Sequence, residues 1–270
     1  IKGIYMFANF FKKSIKEKDL VFWWEPSDGS HNAGDHLAKI IVKQMLTIAD
    51  KEILDKKDYS NKLLSIGSVM HFANSNDCIW GTGINGKISD SHLKFNDLDV
   101  RAVRGPLTQE FLNKRDISVP SVFGDPGLLL PVFFSKDLLL SDPNVKANDF
   151  IVIPHMNEDF TIYDKFKNNI CSPKQGALSF TKEIVNSKFV VSCSLHGLII
   201  AEAYGIPAVF LQNESGESRF KYDDYYFGTG RDSYPIAKTV DQALNLSPAK
   251  TIDHSSITKS LMQSFPYDLW

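Results

Sequence analysis

The sequence has 270 residues, of which 43% are hydrophobic and 23% charged, the range of a packed globular protein rather than a disordered one. Its 30 basic and 32 acidic side chains leave a net charge of −2 with no block of like charge, so composition supplies no basic face for nucleic acid. No apolar run approaches the roughly 18 residues of a membrane-spanning helix, and Cys78, Cys171 and Cys193 form no Cys-x-x-Cys pair, which argues against a zinc ribbon and for a reducing, cytoplasmic compartment. The sequence starts at Ile1 rather than Met and reads as a trimmed chain.

Taken in order, residues 4–17 carry Ile4, Phe7, Phe11 and Ile15 at helical spacing, with Lys12, Lys13, Lys16 and Lys18 toward the end, and predict an amphipathic helix. A buried strand is expected over 20–24, broken by Pro26, Gly29 and Ser30. A helix follows Asp35, with Leu37, Ile40, Ile41 and Met45 on one face. Short strands over 62–66, 78–81, 100–103 and 121–123 surround a helix over 106–113 that has Pro106 in its first turn. A polar stretch, 135–149, reads as a link. The pattern then restarts with strands at 150–153, 189–192 and 208–211 and helices at 178–187 and 198–204. Alternating strands and helices of this length predict an α/β protein with two Rossmann-like lobes, each on a parallel sheet. The expected lobes are 1–140 and 150–250, with 251–270 as a last segment packing across them.

In wound sheets ligands bind beyond the carboxyl ends of the strands, and the informative residues here fall on those ends. Asn32-Ala33-Gly34-Asp35 reads as a turn with Asp35 capping the next helix, and as an acceptor for a sugar hydroxyl. Gly67-Ser68 and Gly81-Thr82-Gly83 read as tight turns or as backbone that a ligand can approach; neither is a Walker loop or a dinucleotide fingerprint. Arg104 precedes a helix start and suits capture of a carboxylate or phosphate better than Arg101, three residues earlier. Asp125, between Gly124 and Pro126, reads as turn chemistry. His196, between small residues Ser194 and Gly197 and ahead of an apolar helix, is the expected general acid, with His155 closing a neighbouring strand end. Lys221 belongs to a charged helix start with Arg219, Asp223 and Asp224, read as a solvated face from which the lysine could reach an anion. Asp97-Leu98-Asp99 matches a short metal-binding pattern of some glycosyltransferases that is common by chance. His31, His36, His71, His92 and His254 show no metal spacing.

Read together, Asn32-Ala33-Gly34-Asp35, Ser65-Ile66-Gly67-Ser68, Trp80-Gly81-Thr82-Gly83, Val103-Arg104-Gly105-Pro106-Leu107-Thr108, Gly124-Asp125-Pro126, Ser194-Leu195-His196-Gly197 and, beyond Ala201, Tyr204-Gly205-Ile206-Pro207 resemble the polysaccharide pyruvyl transferase family in order and spacing. The resemblance implies the two-lobed GT-B architecture, with the first lobe serving the acceptor and the second the donor. It implies transfer from phosphoenolpyruvate to two hydroxyls of a saccharide, forming a pyruvate ketal on a surface polysaccharide or its precursor and releasing phosphate, with no metal or other cofactor. The family's catalytic histidine falls on His196 and its anion-binding arginine on Arg104. Some relatives carry a basic residue where Ser194 stands before Leu195, so Arg101 or Lys221 becomes the expected second cation. Asn32, Gly34, Asp35, Gly67, Ser68, Gly81, Thr82, Gly83, Asp125, His155, Ser194 and Leu195 complete the expected substrate site. The acceptor is free or lipid-linked; a lipid-linked one would bring the enzyme to the inner membrane face, where the N-terminal lysines could touch anionic lipid. Two rival readings are a GT-B glycosyltransferase using a nucleotide sugar and a non-catalytic carbohydrate-binding protein.

Overall fold

A computed structural model describes residues 15–140, 146–212 and 217–270. The helix expected over 4–17 lies almost wholly outside these residues. In the first half, strands β1 (Val21–Phe22), β2 (Leu63–Leu64), β3 (Cys78–Trp80) and β4 (Asp99–Ala102) form one parallel sheet in that order. Helices α1 (Glu17–Leu20), α2 (Ala33–Thr47), α3 (Pro106–Asn113), α4 (Leu130–Phe133) and α5 (Lys136–Leu139) accompany it. In the second half, β5 (Ile151–Ile153), β6 (Val190–Ser192), β7 (Ala208–Leu211) and β8 (Ile236–Ala237) form a second parallel sheet, again in chain order. Its helices are α6 (Ala177–Val185), α7 (Leu195–Ala203), α8 (Phe220–Gly228) and α9 (Val240–Asn245), and α10 (Ser255–Gln263) follows. The protein is therefore α/β with two four-stranded parallel sheets.

The strands are short and buried on both faces: every residue of β2, β3, β5, β6 and β7 is buried, as expected of continuous apolar runs in parallel sheets. Register is regular across β5–β6–β7, with Ile151 opposite Val190 and Val190 opposite Ala208, and shifts once in the first sheet between Ile79 and Trp80. The strand expected over 121–123 is reduced to one parallel bridge, Val103 with Phe123. Two helix starts also differ. Asn32, not Asp35, caps α2, because its side chain accepts from the Asp35 amide at 3.4 Å. The helix expected from 198 begins at Leu195, which puts His196 inside its first turn.

Two joints hold the halves together. Asp224 of α8 accepts hydrogen bonds from the Thr108 amide (2.9 Å) and hydroxyl (2.7 Å) at the start of α3. The cap residue of α3 is Gly105, which has no side chain to offer, so a carboxylate from the other half satisfies the helix end and its positive dipole. Gly105 is required there by space: a Cβ would meet the Asp224 carbonyl oxygen at 1.8 Å. The second joint is the segment after residue 251. The Trp80 indole donates to the Leu261 carbonyl at 2.9 Å, Tyr267 donates to the Met45 carbonyl at 3.0 Å, and the Trp270 indole donates to the Ile53 carbonyl at 2.9 Å. Among the described residues no helix is long and apolar enough to cross a membrane.

Candidate active site

A cavity of about 290 Å³ opens between the two halves. Trp24, Asn32, Asp35, Ser68, His71, Asn85 and Lys87 line it from the first, and His155, Asn157, Ser194, Leu195, His196, Glu217 and Lys221 from the second. Each half presents the ends of its strands to the other, which is where ligands of parallel sheets bind.

Three ionisable side chains are grouped at one place: His196 and Asp35 line the cavity, and Asp125 lies buried beside the imidazole. The His196 ring is about one-tenth exposed and its Nε2 lies 3.7 Å from Oδ2 of the fully buried Asp125. Neither atom has a hydrogen-bond partner; the other Asp125 oxygen accepts from the Gly127 amide at 2.8 Å. Asp125 is thus a turn residue, as expected, whose second oxygen also faces the imidazole. His196 fits only because position 34 is glycine: a Cβ there would stand 2.0 Å from Nδ1. Asp35 is the third member. Its carboxylate accepts from the Asn32 amide group at 2.9 Å and sits against Gly67, whose φ of +97° and missing side chain make room for it. Burial raises the Asp35 pKa to about 6; Asp125 adds to the rise, and His196 and Lys221 restrain it.

The cationic side of the cavity is centred on Glu217. Lys87 from the first half and Lys221 from the second both pair with its carboxylate, and the His155 Nε2 approaches it at 3.5 Å. Burial alone would raise the Glu217 carboxyl, but Lys221 and then Lys87 more than offset it and hold the pKa down at about 2. Burial lowers Lys221 and brings His155 down to about 4 despite Glu217, so His155 is neutral at neutral pH.

Several expected site residues stand elsewhere. Arg104 is fully buried and does not line the cavity. Its guanidinium donates to Asp224 at 3.0 Å, to the Ile84 carbonyl at 2.6 Å and to the Ser68 hydroxyl at 2.6 Å, so it reaches the cavity only through Ser68. Arg101 is committed to Asp99 (2.6 Å) and Asp268 (2.8 Å) and is likewise absent from the cavity wall. Gly81, Thr82 and Gly83 serve the protein's own packing: Gly81 lies against Pro126, Thr82 donates to the Gly67 carbonyl at 2.7 Å, and Gly83 makes room for the Arg104 guanidinium. Asp224, read as part of a solvated face, is fully buried. Lys87, Asn85 and Glu217 escaped the sequence reading. Lys87 follows an Asn85-Gly86 turn rather than a strand end, and Glu217 lies two residues before the charged stretch at Arg219, so its partners became visible only in the folded chain.

Comparison with known proteins bears on this arrangement. The chain is 26% identical over 221 residues to "Uncharacterized protein L143" of Acanthamoeba polyphaga mimivirus, covering 75% of this chain and 73% of that one. It is 23% identical over 213 residues to the succinoglycan biosynthesis protein ExoV of Rhizobium meliloti (strain 1021), covering 76% of this chain and 63% of that one. The model of the polysaccharide pyruvyl transferase family matches residues 32–215, a span that starts at Asn32 and includes Asp35, Asp125 and His196. By that match the chain belongs to the polysaccharide pyruvyl transferase family, a family of transferases.

Proposed function

We propose that this protein transfers the enolpyruvyl group of phosphoenolpyruvate to two hydroxyls of a saccharide, closing a pyruvate ketal and releasing phosphate, on a GT-B-like scaffold. The observation that carries the reading is a His–Asp couple and a two-lysine anion seat at one small cavity, which His196, Lys87 and Lys221 all line. A triply charged three-carbon acid calls for such a seat, and protonating its methylene carbon calls for an acid beside it.

In this mechanism the donor's phosphate and carboxylate take the place of Glu217 as counterions of Lys87 and Lys221. His196, steadied by Asp125, delivers a proton to the methylene carbon, and positive charge develops on the neighbouring carbon. A saccharide hydroxyl adds there as Asp35 takes its proton. Phosphate then leaves with the proton that Asp35 took, which restores the carboxylate, and the second hydroxyl adds as its own proton returns the imidazole to its starting state. The two hydroxyl protons account for the one gained by the methyl group and the one carried off by phosphate. Ser68, held by Arg104, orients the bound groups from the first half. With its guanidinium bound inside the fold, Arg104 is a positioning residue in this scheme.

The test is phosphate release from phosphoenolpyruvate in the presence of saccharide acceptors, comparing the parent with His196→Gln. The variant is expected to lose about 10²–10⁴-fold in turnover; turnover within a few-fold of the parent refutes the acid role. Thermal stabilisation by a nucleotide sugar but not by phosphoenolpyruvate would favour the glycosyltransferase reading instead.

A further inference from the structure

One constellation lies outside the chemistry above. Glu25, His31 and His36 flank the bend between β1 and α2, and one ligand atom from each lies within 4.8 Å of the other two. The His31 Nδ1 stands 3.5 Å from Glu25 Oε1. The two imidazole rings are nearly parallel, with centroids 5.7 Å apart. The other Glu25 oxygen is taken by the Lys18 ammonium at 2.9 Å, which leaves Oε1 turned toward the histidines. His36 adds an anomaly: its Nδ1 is shut off from solvent with no hydrogen-bond partner, a state that costs free energy and calls for an explanation.

We propose that Glu25, His31 and His36 bind one divalent transition-metal ion, Zn²⁺ in the first place. Two imidazoles and a carboxylate are the nitrogen and oxygen donors this ion takes, with water completing a tetrahedron. Ca²⁺ and Mg²⁺ need more oxygens than the cluster offers. His31 is half-exposed and gives the ion a path from solvent. Donors within 4.8 Å of one another need to close by at most about 1.5 Å to reach the ~3.3 Å separation of tetrahedral ligands at ~2.0–2.1 Å from zinc.

The place of the site gives it a purpose. Glu25 follows Trp24, His31 precedes Asn32 and His36 follows Asp35, and all three of those neighbours line the cavity. A metal here ties residues 25–31 to the first turns of α2 and so fixes that wall. It is a tie in the fold, separate from the reacting groups, and stands whether or not the pyruvyl transfer reading holds.

The experiment uses the full chain without an affinity tag, stripped with chelator and titrated with Zn²⁺ or Co²⁺ alone. One ion per chain is expected, with a rise in Tm of about 5 °C at a hundredfold excess over Kd and a Co²⁺ d–d absorption typical of tetrahedral nitrogen and oxygen ligands. His31→Ala removes an exposed ligand with little cost to the fold and should weaken Zn²⁺ at least tenfold and abolish the Co²⁺ band. His155→Ala, in the cavity, should leave both unchanged. Zn²⁺ binding of equal strength in His31→Ala, no saturable uptake by the parent up to about 100 μM, or equal response to Mg²⁺ would each overturn the proposal.

Discussion

Replacing Asp35 by Asn separates the cost of burying this carboxylate from its use. An aspartate pKa of 3.8 lifted to about 6 means that the folded state holds this proton more tightly than the unfolded chain. Stability therefore falls as pH rises between the two values, and the full penalty is present above about pH 6. Two-state linkage makes that penalty about 3 kcal/mol at pH 7.5 and about 1 kcal/mol at pH 4.5. Asn is nearly isosteric and keeps an oxygen for the Asn32 side chain, so Asp35→Asn should be more stable than the parent by those amounts. Urea unfolding at the two pH values, with m-values checked for equality, measures both. The same variant should lose about 10²–10⁴-fold in turnover because the acceptor hydroxyl has no base, and the parent's rate should fall as pH drops below about 6. A variant less stable than the parent at pH 7.5, or a gain equal at both pH values, would refute the reasoning.

Other substitutions probe the remaining parts of the site. Gly34→Ala places a methyl where the His196 ring lies and should displace it, lowering turnover at least about 10²-fold while donor binding changes little; turnover and KM measured separately decide this. Glu217→Gln frees Lys87 and Lys221 from their internal counterion and should lower the KM for phosphoenolpyruvate about tenfold, with a smaller response to added inorganic phosphate in the parent than in the variant. Arg104→Met strands the fully buried Asp224 and should cost about 3–5 kcal/mol in urea unfolding.

The fold class was legible because parallel strands buried on both faces write themselves as short apolar runs, and β5, β6 and β7 coincide with such runs. The bridge at Phe123 was read as a full strand because one apolar residue on either side is all that separates the two in sequence. That His196, Asp35 and Ser68 line one cavity was legible because strand ends converge by topology, whereas Lys221, on α8, was read as part of a solvated helix start. The roles of Arg104 and Arg101 were not legible. A cation's partner is decided by distant carboxylates, Asp224 at 120 positions' separation and Asp268 at 167, and no local pattern carries that information. The same holds for Glu217, whose importance arises from a lysine in the other half of the chain, and for Glu25, His31 and His36, whose spacing follows no established ligand motif.

The carboxylate of Asp224 terminates a helix that belongs to the opposite sheet and neutralises a guanidinium rooted beside that same helix. Neither half can be released without exposing α3's unsatisfied amides and an uncompensated buried charge. Partial melting is thus penalised at the seam, and heat or denaturant should take the molecule apart in one cooperative transition, not sheet by sheet. A chain cut to either sheet alone would inherit half of this contact as a defect.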